Sequence, residues 1–147
     1  MSVDFTWITE RLATGAQITS KDDITTLIQA GITHIIDMRA EYNDGILDDA
    51  RVILLWLPQQ DDGTPRDPTQ VRLGITFALG VALSKVGNRV LCHCAAGMNR
   101  GPLQTFAILR AMGLPQQEAI DRIRTKRPQV DFYNHPNYIS SVEAALV

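Results

Sequence analysis

The sequence predicts an α/β domain, with a mostly parallel central sheet flanked by helices. Three short β-branched or apolar runs, Thr33–Met38, Val52–Leu57 and Arg89–His93, read as buried strands rather than half-exposed ones. Between and after them lie longer helical patterns bounded by caps and glycine stops. Strands alternating with helices form parallel pairs joined by crossovers, and such sheets bind ligands beyond the carboxyl ends of their strands.

Phe5–Leu12 contains a short extended stretch before Gly15. Ser20 with Asp23 three residues later is a variant capping box. It opens a helix over Lys21–Ala30 that puts Ile24, Leu27 and Ile28 on one face and stops at Gly31. Residues 40–50 are acidic and irregular, with Asp44, Asp48 and Asp49 read as a surface cluster. Pro58 is expected to end the second strand, and Gln59–Arg66 has the chemistry of a loop. Asp67-Pro68 then pairs an N-cap with proline at the first helical position. The helix it starts is apolar nearly all round through Val86, with Leu73, Phe77 and Val81 sharing a face. Its length predicts a buried helix. Further helices are predicted from Gly101 to Met112, from Pro115 to Lys126 and from Tyr138 to Leu146.

With 147 residues, the chain makes one domain spanning 1–147. Its 45% hydrophobic and 20% charged content is that of a globular protein. The net charge of −2 argues against general nucleic-acid or anionic-membrane binding. No apolar run approaches the roughly 20 residues of a membrane helix. The opening Met1–Asp4 lacks a secretory pattern. Two cysteines build no disulfide framework, so a reducing, cytoplasmic location is expected.

The segment leaving the third strand reads His93-Cys94-Ala95-Ala96-Gly97-Met98-Asn99-Arg100-Gly101. Five residues separate a cysteine after a strand from an arginine opening a helix. A tight turn there aims successive N–H groups inward as an anion-binding nest, and the helix N-terminus adds to it. A thiol in that setting exists largely as the nucleophilic thiolate. Arg100 can grip two oxygens of a phosphoryl group. The spacing alone is weak. The preceding histidine, the glycine at the third loop position and the strand–loop–helix context make it specific.

HCAAGMNRG resembles the signature H-C-x-x-G-x-x-R-[S/T] of the cysteine-based protein tyrosine phosphatases, and the short chain resembles their dual-specificity branch. Gly31–Arg39, Arg127-Pro128 and Pro136-Asn137-Tyr138 extend the likeness over most of the chain. The resemblance implies a phosphotyrosine protein phosphatase II-like fold. It also implies a cofactor-free hydrolase that works through a cysteinyl-phosphate. Cys94 is then the nucleophile and Arg100 the phosphate clamp, and the backbone of Ala95, Ala96, Gly97, Met98, Asn99 and Arg100 binds the phosphate. His93 orients the loop from behind. The partner is a phosphorylated protein or small phosphoester. The general acid comes from an upstream loop, here Pro58–Pro65, whose P-x-x-D-x-G-T-P form aligns Asp61 with it, Asp62 being the alternative.

The usual hydroxyl after the arginine is replaced by Gly101, followed by Pro102. A slow or feeble enzyme, even a phospho-binding module, therefore stands as an alternative. So does a phosphatase for a non-protein ligand, an inositol phosphate, a phosphoinositide or an RNA 5′ end. Asn99 is similar to the residue of the RNA 5′-triphosphatase branch, while the absence of lysine from the loop is unlike the phosphoinositide 3-phosphatases. Arg39, Arg66 and Arg127 are open to two readings, pocket rim or structural pairing. Cys92 reads as a core thiol. Cys92, His93 and Cys94 with His34 or His135 fit no common zinc spacing, so no metal is expected.

Overall fold

Residues 3–147 are described, in a computed structural model. The strands are β1 (Phe5–Trp7), β2 (Leu12–Gly15), β3 (His34–Arg39), β4 (Ile53–Gln59) and β5 (Val90–His93). The helices are α1 (Lys21–Gln29), α2 (Pro68–Ile75), α3 (Arg100–Ala111), α4 (Gln116–Lys126) and α5 (Pro136–Ala145). The sheet order is β1-β2-β5-β3-β4, parallel except for the antiparallel β1–β2 pair. β5 lies at the centre and is buried along its whole length, which puts its carboxyl end, and the cysteine after it, in the middle of the fold.

One face of the sheet is covered by α1, through Ile24 and Leu27 against Ile18, Ile35 and Leu91. The other helices cover the opposite face, where Leu103, Phe106, Ile123, Tyr138 and Val142 join one core. The Ser20 cap holds, its hydroxyl accepting from Asp23 N at 3.3 Å. The reciprocal arm reaches one residue further out, with Thr19 N donating to Asp23 Oδ2 at 2.8 Å.

Four elements differ from the sequence reading. The N-terminal extended stretch is a hairpin. Its second strand, Leu12–Gly15, is held by parallel pairing with β5, a long-range contact that local periodicity cannot register. Pro58 does not end β4, which runs to Gln59 across a register shift opposite Asp37 and Arg39. β4 is an edge strand, where a missing N–H costs no ladder bond. The helix through Val86 instead leaves α-geometry at Ile75, widens into a π-turn over Thr76–Ala82 and caps at Leu83. Its inner face is Val71, Gly74, Ala78 and Ala82, while Leu73 and Val81 are about half exposed. The Gln104 amide of α3 fills the space that a Cβ on Gly74 would take. Finally, Asp44 is not on the surface. It opens a 3₁₀ turn (Asp44–Leu47) and is buried.

Candidate active site

The Cys94–Arg100 loop is shaped from outside. Its carbonyls are turned away from the centre and satisfied there. Ala95 O accepts from Gln17 N at 3.0 Å, and Met98 O accepts from Asp131 N at 2.8 Å. Gly97 O accepts from Arg127 Nε at 2.8 Å. With carbonyls pinned outward, the peptide planes aim their N–H groups at the concave side. Among the described residues, the backbone N–H groups of Ala95–Arg100 find no protein acceptor. Gly97 sits at φ +69°, in the left-handed region, and a Cβ there would run into the Arg127 guanidinium and the Gly15 backbone. The next element, α3, opens without a side-chain cap on its free N–H groups. The result is a nest for an anion, with Cys94 at its floor and only 3% exposed.

Arg100 enters this nest from α3, 6% exposed, and a carboxylate absent from the sequence reading sets its orientation. Nη1 and Nη2 donate to the two oxygens of Glu41 at 2.6 and 2.9 Å, and Nη1 also donates to Gln59 O at 2.9 Å. That pairing holds the Glu41 carboxyl at about 2, far below its ordinary value. One edge of the guanidinium is thus fixed. Nε on the other edge is buried without a partner, a donor still owed an oxygen.

The Pro58–Pro65 loop, expected to carry the acid, lies against the nest. Asp61 Oδ1 accepts from the Tyr138 hydroxyl at 2.9 Å, and Oδ2 accepts from Asn99 Nδ2 at 3.1 Å. Tyr138 OH accepts in turn from Gly63 N at 2.9 Å. Asp62 faces elsewhere: its Oδ1 takes Thr64 Oγ1 at 2.7 Å, Thr64 N at 3.1 Å and Arg66 Nη2 at 3.0 Å. Those bonds, led by that of the Thr64 hydroxyl, hold its carboxyl below the usual range. The structure therefore brings Cys94, Arg100 and Asp61 to one site, while Asp62 anchors the loop beside it.

Behind the nest, His93 is fully buried. Nδ1 lies 3.3 Å from Cys94 O and Nε2 lies 2.5 Å from Asp44 Oδ2. Asp37, His93 and Asp44 have the composition of a metal site, but Arg39 already fills the charge. Its Nη2 donates to Asp44 at 2.6 Å and its Nε to Asp37 at 3.2 Å. Burial pushes the Asp37 carboxyl above its ordinary value. Arg39, Arg66 and Arg127 are all held in structural pairs and are 7% exposed or less. Arg127 pairs with Asp4 at 2.9 Å, and Arg66 spans Asp62, Thr64 O and Gln60 O.

No family model and no curated protein matches the chain. Solved structures do. PTPMT1 in complex with PI(5)P superposes with a TM-score of 0.83 at 19% identity, covering 97% of this chain and 94% of that one. The active form of Tk-PTP gives 0.79 at 18% identity, with 97% and 96% covered. The human tyrosine phosphatase-like serine/threonine/tyrosine-interacting protein gives 0.80 at 19%, with 96% and 94% covered.

The chain has the dual-specificity phosphatase fold.

Within that fold Gly101 has a steric reason. A Cβ there would lie 3.0 Å from Cys92 O and from His93 Cα, so α3 packs tightly on β5 and a serine or threonine would require the two to part by a few tenths of an ångström. Cys92 is the core thiol expected from sequence, unpaired and pushed up to about 12 by burial. Glu41 and Tyr138 were missed as site residues. Both had a signal. Glu41 lies two residues past the carboxyl end of a strand beside the central one, and Tyr138 sits in the Pro136-Asn137-Tyr138 run already noted.

Proposed function

We propose that this protein is a cysteine-dependent phosphomonoesterase, with phosphotyrosine, whose phenolate is a better leaving group than an alkoxide, as its best protein substrate. The observation that carries the reading is the buried Nε of Arg100, which lacks an acceptor inside a nest of unpaired N–H groups around a cysteine. A phosphoryl group supplies that acceptor.

The chemistry follows from the geometry. Cys94 Sγ attacks phosphorus, and the bond to the leaving oxygen breaks as Asp61 gives it a proton. Arg100 and the nest N–H groups bind the equatorial oxygens as their charge spreads. Water then attacks the cysteinyl-phosphate, Asp61 takes its proton, the S–P bond breaks and inorganic phosphate leaves. Asn99 ties the acid loop to the nucleophile loop throughout, and Tyr138 fixes the carboxylate from the far side. The fold-level likeness to known phosphatases supports this reading. The substitution at Gly101 bears on the second step, because no hydroxyl follows the arginine to help the thiolate depart.

The test is hydrolysis of p-nitrophenyl phosphate without added metal, beside Cys94→Ser and with vanadate. Turnover that is lost in the variant and blocked by vanadate is the expected result. A stoichiometric burst that stalls would assign the Gly101 position a limiting role in breakdown. No release from folded, reduced protein would retire the catalytic reading in favour of a phospho-binding module.

A further inference from the structure

Among the described residues, three buried side-chain polar atoms have no protein partner, and all three belong to residues of the site: Arg100 Nε, Asn99 Oδ1 and Gln59 Oε1. Gln59 borders the nest through its carbonyl, which accepts from Arg100 Nη1 at 2.9 Å. The arginine atom is a donor and suits a phosphoryl oxygen. The two amide oxygens are acceptors, which an ionised phosphoryl group cannot satisfy. They call for a molecule that brings O–H or N–H groups of its own.

Asn99 is the better placed of the two. An asparagine directly before a helix ordinarily turns its side-chain oxygen onto the free N–H of the second or third helical residue. Asn99 makes no such bond, and the third residue of α3 is Pro102, which has no N–H. The amide turns to the acid loop instead, with Nδ2 donating to Asp61 Oδ2 at 3.1 Å. Both amide atoms sit on one carbon, so Oδ1 lies within about 5.5 Å of that carboxylate oxygen, a gap that one water spans with two hydrogen bonds of about 2.8 Å each. Tyr138 holds the other carboxylate oxygen at 2.9 Å. Asp61 Oδ2, with a second lone pair to offer, is therefore the oxygen that handles the proton.

Breakdown of the cysteinyl-phosphate makes a demand that a nest of donors cannot meet. Water attacks phosphorus with a lone pair, so both of its O–H bonds must point away from the phosphoryl group. N–H groups and a guanidinium would hold the water the wrong way round. It needs two acceptors, one for each proton. We infer that Asn99 Oδ1 is the second acceptor, and that it makes the site hydrolyse its intermediate rather than pass the phosphoryl group to an alcohol. The inference rests on the phosphatase reading and concerns its second step. As the water oxygen bonds to phosphorus, one proton goes to Asp61 Oδ2 and the S–P electron pair returns to Sγ. The proton held by Asn99 stays on the departing phosphate as its hydroxyl. An alcohol has a single O–H, which Asp61 takes, so its alkyl group faces Asn99 and leaves that buried oxygen unpaired. A site built around a hydrogen bond discriminates against a molecule that cannot make it.

The experiment follows p-nitrophenyl phosphate with added ethanol, on the wild type, Asn99→Ala and Asn99→Ser. Nitrophenolate reports formation of the intermediate, inorganic phosphate reports its hydrolysis, and the difference is ethyl phosphate. The wild type should release nitrophenolate and inorganic phosphate in nearly equal amounts. In both variants the first equivalent of nitrophenolate should appear as fast as in the wild type. Steady release of inorganic phosphate should fall by roughly tenfold, and the ratio of ethyl to inorganic phosphate should rise by a similar factor. Tyr138→Phe loosens Asp61 without removing an acceptor for water, so its ratio should match that of the wild type. A ratio unchanged in both Asn99 variants overturns the inference and leaves Asn99 as a latch on the acid loop. So does a ratio that rises equally in Tyr138→Phe, and so does loss of the first equivalent in both Asn99 variants, which would place Asn99 before the second step. No nitrophenolate from the wild type retires the phosphatase reading and this inference with it.

Discussion

Asn99 Nδ2 donates to Asp61 Oδ2 at 3.1 Å, a bond that joins residues 38 apart in sequence and fastens the acid loop to the nest. The other oxygen of the same carboxylate is held by Tyr138 at 2.9 Å, so the carboxylate is gripped from both loop and helix. Positioning of this kind counts in catalysis because a displaced group loses its near-attack geometry.

Tyr138→Phe removes one grip and also leaves Gly63 N without its acceptor. We expect kcat on an alkyl phosphate to fall by roughly tenfold and kcat on p-nitrophenyl phosphate to fall far less, since nitrophenolate leaves with little need of a proton. Equal loss on both substrates would mean the tyrosine acts on the whole loop rather than on the acid.

The two neighbouring aspartates separate by kinetics. Asp61→Asn should lower kcat on substrates with poor leaving groups by about 10²- to 10⁴-fold, the usual worth of general acid catalysis. Asp62→Asn should leave kcat within about threefold and lower the melting temperature by a few degrees. The reason is that Asp62 holds Thr64 and Arg66, not the substrate. Reversed effects would exchange their roles.

Glu41→Gln keeps the shape of the Arg100 partner and removes its charge. With one guanidinium edge no longer held by charge, kcat should fall by roughly tenfold with KM unchanged or lower, since the remaining positive charge still attracts phosphate. Stability adds a pH signature. The folded Glu41 carboxyl lies at about 2, below its ordinary 4.5, so the stability it contributes is complete above about 4.5 and is lost as pH falls toward 2. Urea denaturation of wild type and variant at a series of pH values should show a gap that closes across that window.

Gly101→Ser restores the hydroxyl that the loop lacks, but its Cβ would lie 3.0 Å from backbone atoms of Cys92 and His93 on the central strand. Overpacking of this kind costs about 1–3 kcal/mol. Denaturant melts should show that loss. A variant as stable as wild type would mean that α3 can move away from β5, and would leave the glycine without a steric reason.

The nest was legible in the sequence because its parts are local. A strand, a cysteine, a glycine that turns the chain and a helix opened by arginine all lie within Val90–Ala111, and short-range geometry brings them together. Ser20 and Asp67 were legible as caps for the same reason. The alternation of strands and helices determined a mostly parallel sheet, since crossovers leave few other arrangements. Tertiary structure decided the rest. Glu41 reaches Arg100 across 59 positions and Tyr138 reaches Asp61 across 77, so no spacing rule could pair them. Asp44 looked like surface until β5 placed His93 against it, and β2 became a strand by pairing with β1 on one side and β5 on the other. The face that α2 buries is the one that meets α3, where the Gln104 amide fills the space beside Gly74. Local patterns reflect the chain's own torsions and caps, whereas partners distant in sequence exist only once the core has closed around them.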